Sequence, residues 1–368
     1  LVGGKTLSQP GHHISAYQLS LAVVFSCIST AIFFLPGDAV TIVSEDAWAA
    51  VIFATAGEII LGIYPLAALA RQFPKETVIQ YSRKVLGRFG GFIIGLLICC
   101  NFFQIHAWTL REFGEISTVF LPDTTVWIFI IVLSLLNIFV AYQGIEVIVR
   151  CAEFVFPIGL FFLLLIGVVN AGHLEVRNLQ PVFPWNMLVM LKASISPLDW
   201  LSTAISFALL AAFVNEPSKI KQVGVLAIGF SGFVLLLFTL MLLMVFGADL
   251  LSRMTFSFLA YANYGYQGSE TLVVGVWFSW IFVRSAIYCF ITVFAIAQLF
   301  NLGNYKFLIF PETILALVYS MHQYKSFSEM AYFFSRSHLL YLLFQLGLPL
   351  IIWSVFMIRK RFSFYGSK

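Results

Sequence analysis

Apolar residues in this chain come in long blocks, without the alternation of a half-buried strand or the narrow stripe of a soluble amphipathic helix. Mostly apolar runs cover roughly 17–42, 47–70, 89–110, 126–142, 145–170, 198–214, 222–247, 271–300, 307–320 and 337–358. A helix crossing a bilayer needs ~20 such residues, and most of these runs meet or approach that length. The sixth carries Pro197 and Asp199 at its start, and the ninth is short and holds Pro311 and Glu312. Turn-forming breaks separate the runs: Phe73-Pro74-Lys75, Leu121-Pro122-Asp123, Tyr142-Gln143-Gly144 and Asn215-Glu216-Pro217. The pattern predicts an all-α polytopic membrane protein with ten transmembrane helices. A single transmembrane domain spans 17–360, between an N-terminal tail of residues 1–16 and a C-terminal tail of residues 361–368.

Composition supports the same class. The chain is 61% hydrophobic and 10% charged, against ~25% charged in ordinary soluble domains. A net charge of +4 is too small to suggest a nucleic-acid partner. Its distribution is more informative, because short cytoplasmic loops are enriched in Lys and Arg. With ten spans, fourteen basic residues fall on the side of the termini and six on the other, with Arg284 inside a span. Both termini are therefore expected on the cytoplasmic side.

Ten spans divide into five plus five, with halves at about 17–171 and 185–360. The first and sixth runs are the ones interrupted by polar or helix-breaking residues: Ser29-Thr30 and Pro36-Gly37 in one, Pro197 and Ser202-Thr203 in the other. Interrupted helices at corresponding positions of two halves point to a binding site in an inverted-repeat transporter fold. The expectation is an inverted repeat with broken first and sixth helices.

Charges inside the spans are the next clue, since intramembrane ionisable groups are rare and usually functional. Glu58 lies midway along the second run and Arg284 deep in the eighth. They could pair with each other, or each with a polar group such as Gln104 or His106, and Glu58 is a candidate proton site. Arg150 and Glu153 stand one turn apart at the start of the fifth run, close enough for an i,i+3 ion pair. Asn101, Gln104 and His106 form a polar patch in the third. Interhelical hydrogen bonds or a central cavity would both account for it. The five cysteines lie in or at the edge of apolar runs without a Cys/His motif, which reads as packing and not as a metal or disulfide set. No cofactor, metal or catalytic motif stands out, and an enzyme is not expected.

Two stretches carry a resemblance. Ser29-Thr30-Ala31-Ile32-Phe33-Phe34-Leu35-Pro36-Gly37 looks like the first-span motif of the amino acid/polyamine/organocation permeases, with Ser29 and Ala31 where that superfamily has glycines. The second begins with Asp46-Ala47-Trp48, Gln72-Phe73-Pro74, Val85-Leu86-Gly87 and Leu110-Arg111-Glu112-Phe113. It continues with Leu121-Pro122-Asp123-Thr124 and Gly144-Ile145-Glu146-Val147-Ile148-Val149-Arg150. In order and spacing it resembles the B subunits of spore germinant receptors, most closely across 17–160. The family's sixth-span glutamate is missing here, where Thr203-Ala204-Ile205 stands.

The resemblance implies a midplane pocket between the first, third, sixth and eighth spans. Ser29, Thr30, Ala31 and Ile32 would line it with Ser202, Thr203 and Ser206, and Gln104 and Arg284 would be further candidates. It also implies a basic side chain near Arg150 and Glu153 facing the first span, where it could replace a coupling cation. The implied role is a nutrient-sensing subunit in the spore inner membrane. It would bind a small germinant, often an amino acid, beside a receptor A subunit and a C lipoprotein. The alternative is a proton-coupled amino acid permease.

Overall fold

A computed structural model describes residues 13–180 and 186–365. The outermost parts of both expected tails, residues 1–12 and 366–368, lie outside the described residues, as does 181–185 near the boundary of the expected halves.

Nine helical stretches among the described residues are long and apolar enough to cross a membrane. They supply nine of the ten expected spans. The first is Ala16–Val43. The second joins Ala47–Gly57 to Tyr64–Gln72 through a π turn at Glu58–Ile63. The third is Val78–Phe120, the fourth Val126–Gln143 and the fifth Ile145–Val169. The sixth is split into Ile195–Leu201 and Ala204–Leu210, and the seventh is Ile220–Leu251. The eighth is Glu270–Leu299, and the tenth joins Phe327–Leu342 to Leu348–Tyr365 through a second π turn at Leu343–Gly347. The ninth is Lys306–Gln323, whose 18 residues include Glu312 and Pro311. It packs along the third, fourth and eighth spans and completes the set.

The five-plus-five repeat is visible in which spans touch. Moving each partner five places along the chain maps one observed pair onto another. The first span packs on the seventh and the sixth on the second. The first packs on the fifth and the sixth on the tenth, the fourth on the eighth and the ninth on the third. Because each half has an odd number of spans, equivalent helices run in opposite directions, which makes the repeat an inverted one. The first, sixth and eighth spans form the buried centre, whereas the fourth and fifth present many large apolar side chains outward, Phe139, Phe154 and Phe161 among them. Lipid is the natural solvent for such a face.

Local sequence explains the main departures from straight helices. At Gly87 the backbone turns at φ 80°, a conformation that favours glycine, and a short helix bends into the third span. Ser15 caps the first span in a reciprocal box with Gln18, and Thr77 does the same with Gln80 for the third. Ile14 pairs with Phe213 and Asn215 through backbone hydrogen bonds of 3.1 and 3.2 Å, tying the N-terminal segment to the end of the sixth span.

Candidate functional site

The break in the sixth span is where the backbone opens. Ser202 is extended (φ −74°, ψ 102°) and Thr203 also leaves the helix, so groups that a continuous helix would satisfy need partners from elsewhere. Two neighbouring spans supply them. Glu58 Oε1 accepts from the Thr203 backbone N–H at 3.2 Å, and Cys27 Sγ donates to the Leu201 carbonyl at 3.4 Å. Glu58 reaches the break from the π turn of the second span. Gly62 permits this close approach, because a Cβ there would sit 2.8 Å from Glu58 Oε1 and 3.0 Å from Ala204 Cβ.

The first span behaves differently from expectation. It is helical throughout Ala16–Val43, including Ser29, Thr30, Ala31 and Ile32. Ser29 Oγ donates back to the Phe25 carbonyl one turn earlier, and Thr30 Oγ1 donates to Glu112 Oε2 at 3.1 Å. With Ser29 and Ala31 in place of two glycines, these positions favour the helical ladder over unwinding. Pro36 removes one rung of that ladder, since it has no N–H to donate to Ile32, yet the helix continues through it. The break expected in the first span is therefore absent.

A small cavity of about 40 Å³ lies against the sixth-span break. This is room for roughly three water molecules. Ser26 contributes from the first span, Gln104 and Trp108 from the third, and Asp199, Ser202 and Thr203 from the sixth. Arg284 and Tyr288 come from the eighth, and Phe334, Tyr341 and Gln345 from the tenth. Gln104, Ser202, Thr203 and Arg284 thus take the places expected of them. Ser29, Thr30, Ala31 and Ile32 do not line the cavity; Ser26, one turn before them, does. Ser206 lies just beyond it, 3.4 Å from the Tyr288 hydroxyl. The tenth span's contribution was not anticipated.

Arg284 is the dominant charge of this cavity. It is 7% exposed, and its Nε and Nη1 donors meet no acceptor among the described residues. The guanidinium carbon stands 5.8 Å from the Tyr288 ring centre. Glu58 and Arg284, one of the pairings the sequence allowed, do not meet: Glu58 Oε1 is held by the sixth-span backbone, and its Oε2 finds no donor among the described residues. Glu112, behind Thr30, is within electrostatic reach of Arg284. Gln345 Oε1, from the π turn of the tenth span, is likewise buried without a donor. The cavity therefore offers a cation with spare donors and, on other walls, the Asp199 carboxylate and a spare amide oxygen.

Toward the end of the bundle away from the termini the cavity is roofed. Trp200 stacks on Phe34 (5.8 Å between centres, 8° between planes) and packs on Phe334 at 4.5 Å, and Trp108 meets Phe334 at 4.9 Å. A polar latch accompanies these rings: His338 Nδ1 lies 2.9 Å from Asp199 Oδ2, its Nε2 lies 3.7 Å from Asp38 Oδ2, and Ser196 Oγ donates to Asp38 at 2.9 Å. The latch joins the first, sixth and tenth spans.

A second buried polar group lies outside the cavity. His106 Nδ1 is 2.8 Å from Glu312 Oε1, and its Nε2 is 3.3 Å from Asn137 Nδ2, which also lies 2.6 Å from Ser285 Oγ. Cys289 and Thr313 complete it, each in contact with Glu312 Oε2. The His106, Cys289 and Glu312 donor atoms all lie within 4.8 Å of one another, a geometry that could hold a metal ion. No motif announced this set, since 206 residues separate His106 from Glu312. Mutual hydrogen bonding accounts for it as a pin through the third, fourth, eighth and ninth spans. Of the expected patch on the third span, then, Gln104 faces the cavity and His106 faces the pin.

The Arg150–Glu153 pair is also corrected. Arg150 is exposed and binds Glu146 at 2.9 Å, four residues before it, while Glu153 Oε2 accepts from Gln18 Nε2 of the first span at 3.1 Å. The i,i+4 spacing suits the long Arg side chain, and Gln18 holds Glu153 on the other face. The carboxylate, and not a basic side chain, faces the first span.

Ten helices in an inverted repeat around a small cavity at a broken helix define a transporter-type membrane fold. Solved structures agree on this fold. MhsT in complex with L-phenylalanine matches with a TM-score of 0.70 and 12% identity, over 94% of this chain and 89% of that one. MHP1, a nucleobase-cation-symport-1 family transporter in a closed conformation with bromovinylhydantoin bound, matches with a TM-score of 0.68 and 14% identity, over 98% and 82%. The family model for spore germination protein matches residues 13–328, and the chain belongs to that family. Among its relatives in Bacillus subtilis (strain 168), spore germination protein KB is 25% identical over 334 residues, 86% of each chain. Spore germination protein YndE is 27% identical over 242 residues, and that match spans 65% of each chain.

Proposed function

We propose that this chain is the membrane-embedded sensing subunit of a spore germinant receptor, and that Arg284 receives the carboxylate of a small germinant in the midplane cavity. The observation that carries the reading is the buried guanidinium with two donors lacking acceptors. An unpaired charge in a low-dielectric interior is strongly unfavourable, and an anionic partner removes that penalty. Asp199 and Gln345 on other walls suit an ammonium group, so a free amino acid matches both ends. The cavity is too small for such a ligand as it stands. Binding therefore requires the aromatic roof and the His338 latch to shift, and that coupling of occupancy to conformation is what a sensor needs. In this reading the chain changes shape without transforming its ligand, and it passes the change to an A subunit and a C lipoprotein in the spore inner membrane, its termini facing the core.

The test is a thermal-shift and equilibrium-binding panel of L-amino acids on the purified protein, each paired with its carboxamide, which lacks the carboxylate. A charge-assisted bond is worth about 1.5–3 kcal/mol. Arg284→Gln should therefore weaken a bound amino acid by roughly 10- to 100-fold, and the carboxamide should fail on the unmodified protein. Equal binding of acid and amide, or unchanged affinity in Arg284→Gln, would overturn the assignment. The buried carboxylates Glu58, Glu112 and Asp199 around the cavity also favour a second reading, a proton-coupled amino acid permease. Uptake into proteoliposomes under an imposed pH gradient distinguishes the two, because a sensor binds without accumulation.

A further inference from the structure

At the end of the bundle that carries the termini, the third and eighth spans border a groove of about 560 Å³ that none of the described residues fills. Its construction is specific. The helix before Gly87 folds back at the positive-φ turn, and Gly91 lets the two backbones meet, since a Cβ at Gly91 would lie 2.7 Å from the Arg83 backbone nitrogen. Arg83 is pinned across the groove, donating to the Leu299 carbonyl and, at 3.2 Å, to Asn301 Oδ1. Arg88 stands at the mouth, exposed and with no acceptor among the described residues.

Below the two guanidinium groups the lining turns apolar. Phe89 and Phe92 line the groove, and the exposed Ile93 and Leu96 continue their stripe beyond it at i, i+3, i+4 and i+7, which is one face of a helix. Phe300 faces the groove from the end of the eighth span and is also exposed. Any lipid covers an apolar face. What sets this one apart is a cationic head end with spare donors directly above an apolar stripe.

We infer that this groove is a binding site for an anionic glycerophospholipid, its phosphate held by Arg88 and Arg83 and one acyl chain lying along the Phe89–Leu96 stripe. Guanidinium groups match phosphate oxygens in a two-pronged geometry, and basic pockets between helices at the membrane surface are suited to acidic headgroups. The local balance favours a net negative lipid over a zwitterion. Lys84 is neutralised by Glu76 at 2.5 Å, while Arg83, Arg88 and the nearby Arg359, which donates to the Lys84 carbonyl at 3.5 Å, have no carboxylate partner among the described residues. The inference is independent of the germinant cavity.

The experiment uses the full chain in detergent, with phosphatidylglycerol, phosphatidylcholine, glycerol 3-phosphate or inorganic phosphate added at equal concentration. Retained lipid is read by native mass spectrometry and stabilisation by thermal shift. Phosphatidylglycerol should be retained at least tenfold better than phosphatidylcholine, and the free phosphates should have no effect. Arg88→Gln, at an exposed position that leaves the packing intact, should abolish the preference. Arg253→Gln, an exposed control at the other end of the bundle, should preserve it. Equal retention of the two lipids, stabilisation by the free phosphates alone, or an unchanged preference in Arg88→Gln would each overturn the site.

Discussion

The first and sixth spans are equivalent members of an inverted repeat, both marked by hydroxyl residues at mid-membrane, yet only one of them is broken. In the sixth, Ser202 and Thr203 leave the helix and the freed groups are taken up by Glu58 and Cys27 from two other spans. In the first, Ser29 bonds its own helix and Thr30 bonds Glu112, so the ladder has no competitor. A hydroxyl pair at mid-membrane is therefore compatible with either outcome. An acceptor delivered from outside to hold the exposed backbone N–H accompanies the break, because an unsatisfied backbone group in a bilayer is costly. The difference also moves the candidate ligand anchor. Where a second break would offer backbone amides, this chain offers the Arg284 side chain.

Removing the external acceptor is the strongest way to break the comparison. Glu58→Ala leaves the Thr203 N–H buried and unpaired, a loss of about 1–3 kcal/mol from that group, with further loss from the void it creates. A clearly lowered melting temperature in detergent is the expected result, with Glu58→Gln, which keeps an acceptor oxygen, falling between the two. If Glu58→Ala melts with the unmodified protein, the carboxylate is not what holds the break. A slightly smaller effect is expected at Gly62, where an added methyl would press on Glu58 Oε1 and Ala204 together. Overpacking of this kind costs about 1–3 kcal/mol, and Gly62→Ala should also raise hydrogen exchange at Thr203. Protection at Thr203 unchanged in that variant would mean that Glu58 can retreat without releasing the amide. The mildest change belongs to the first span: Thr30→Val deletes one hydrogen bond to Glu112 and should cost about 1 kcal/mol. Because Val holds the helix, exchange across Ser29–Ile32 should stay slow. Rapid exchange there would show that Thr30, and not the helical ladder, keeps this span closed.

Much of the architecture is legible in the linear pattern. Nine of the ten expected spans are recovered as long apolar helices, and the ninth, with Glu312 in its middle, is recovered as a helix packed into the bundle. Backbone groups in hydrocarbon must be bonded within the segment, so a long apolar block has few alternatives to a helix. The depth of Arg284 and Gln104 was legible for the same reason, since position along a helix of 1.5 Å rise translates into depth. The partners of these groups were not. Glu58 was a reasonable partner for Arg284 by depth alone, but the π turn at Glu58–Ile63 and the absence of a side chain at Gly62 aim it at Thr203 instead. Arg150 presents a smaller instance: i,i+3 and i,i+4 carboxylates were both within reach, and Gln18 of the first span claimed Glu153.

What the sequence by itself determined is the membrane class, the number and order of the spans, the repeat of five and the depth of Glu58 and Arg284, because hydrophobic run length and loop chemistry act locally along the chain. The limits of the third span were not among these, since it runs on to Phe120 and buries Arg111 and Glu112. Only the tertiary structure decided that the first span stays helical, that the tenth helps line the cavity, and that His338 bridges Asp199 and Asp38 while His106 meets Glu312. Those outcomes depend on which faces of helices far apart in sequence come together. In a medium that offers no water to satisfy polar groups, the neighbour that arrives decides each group's partner.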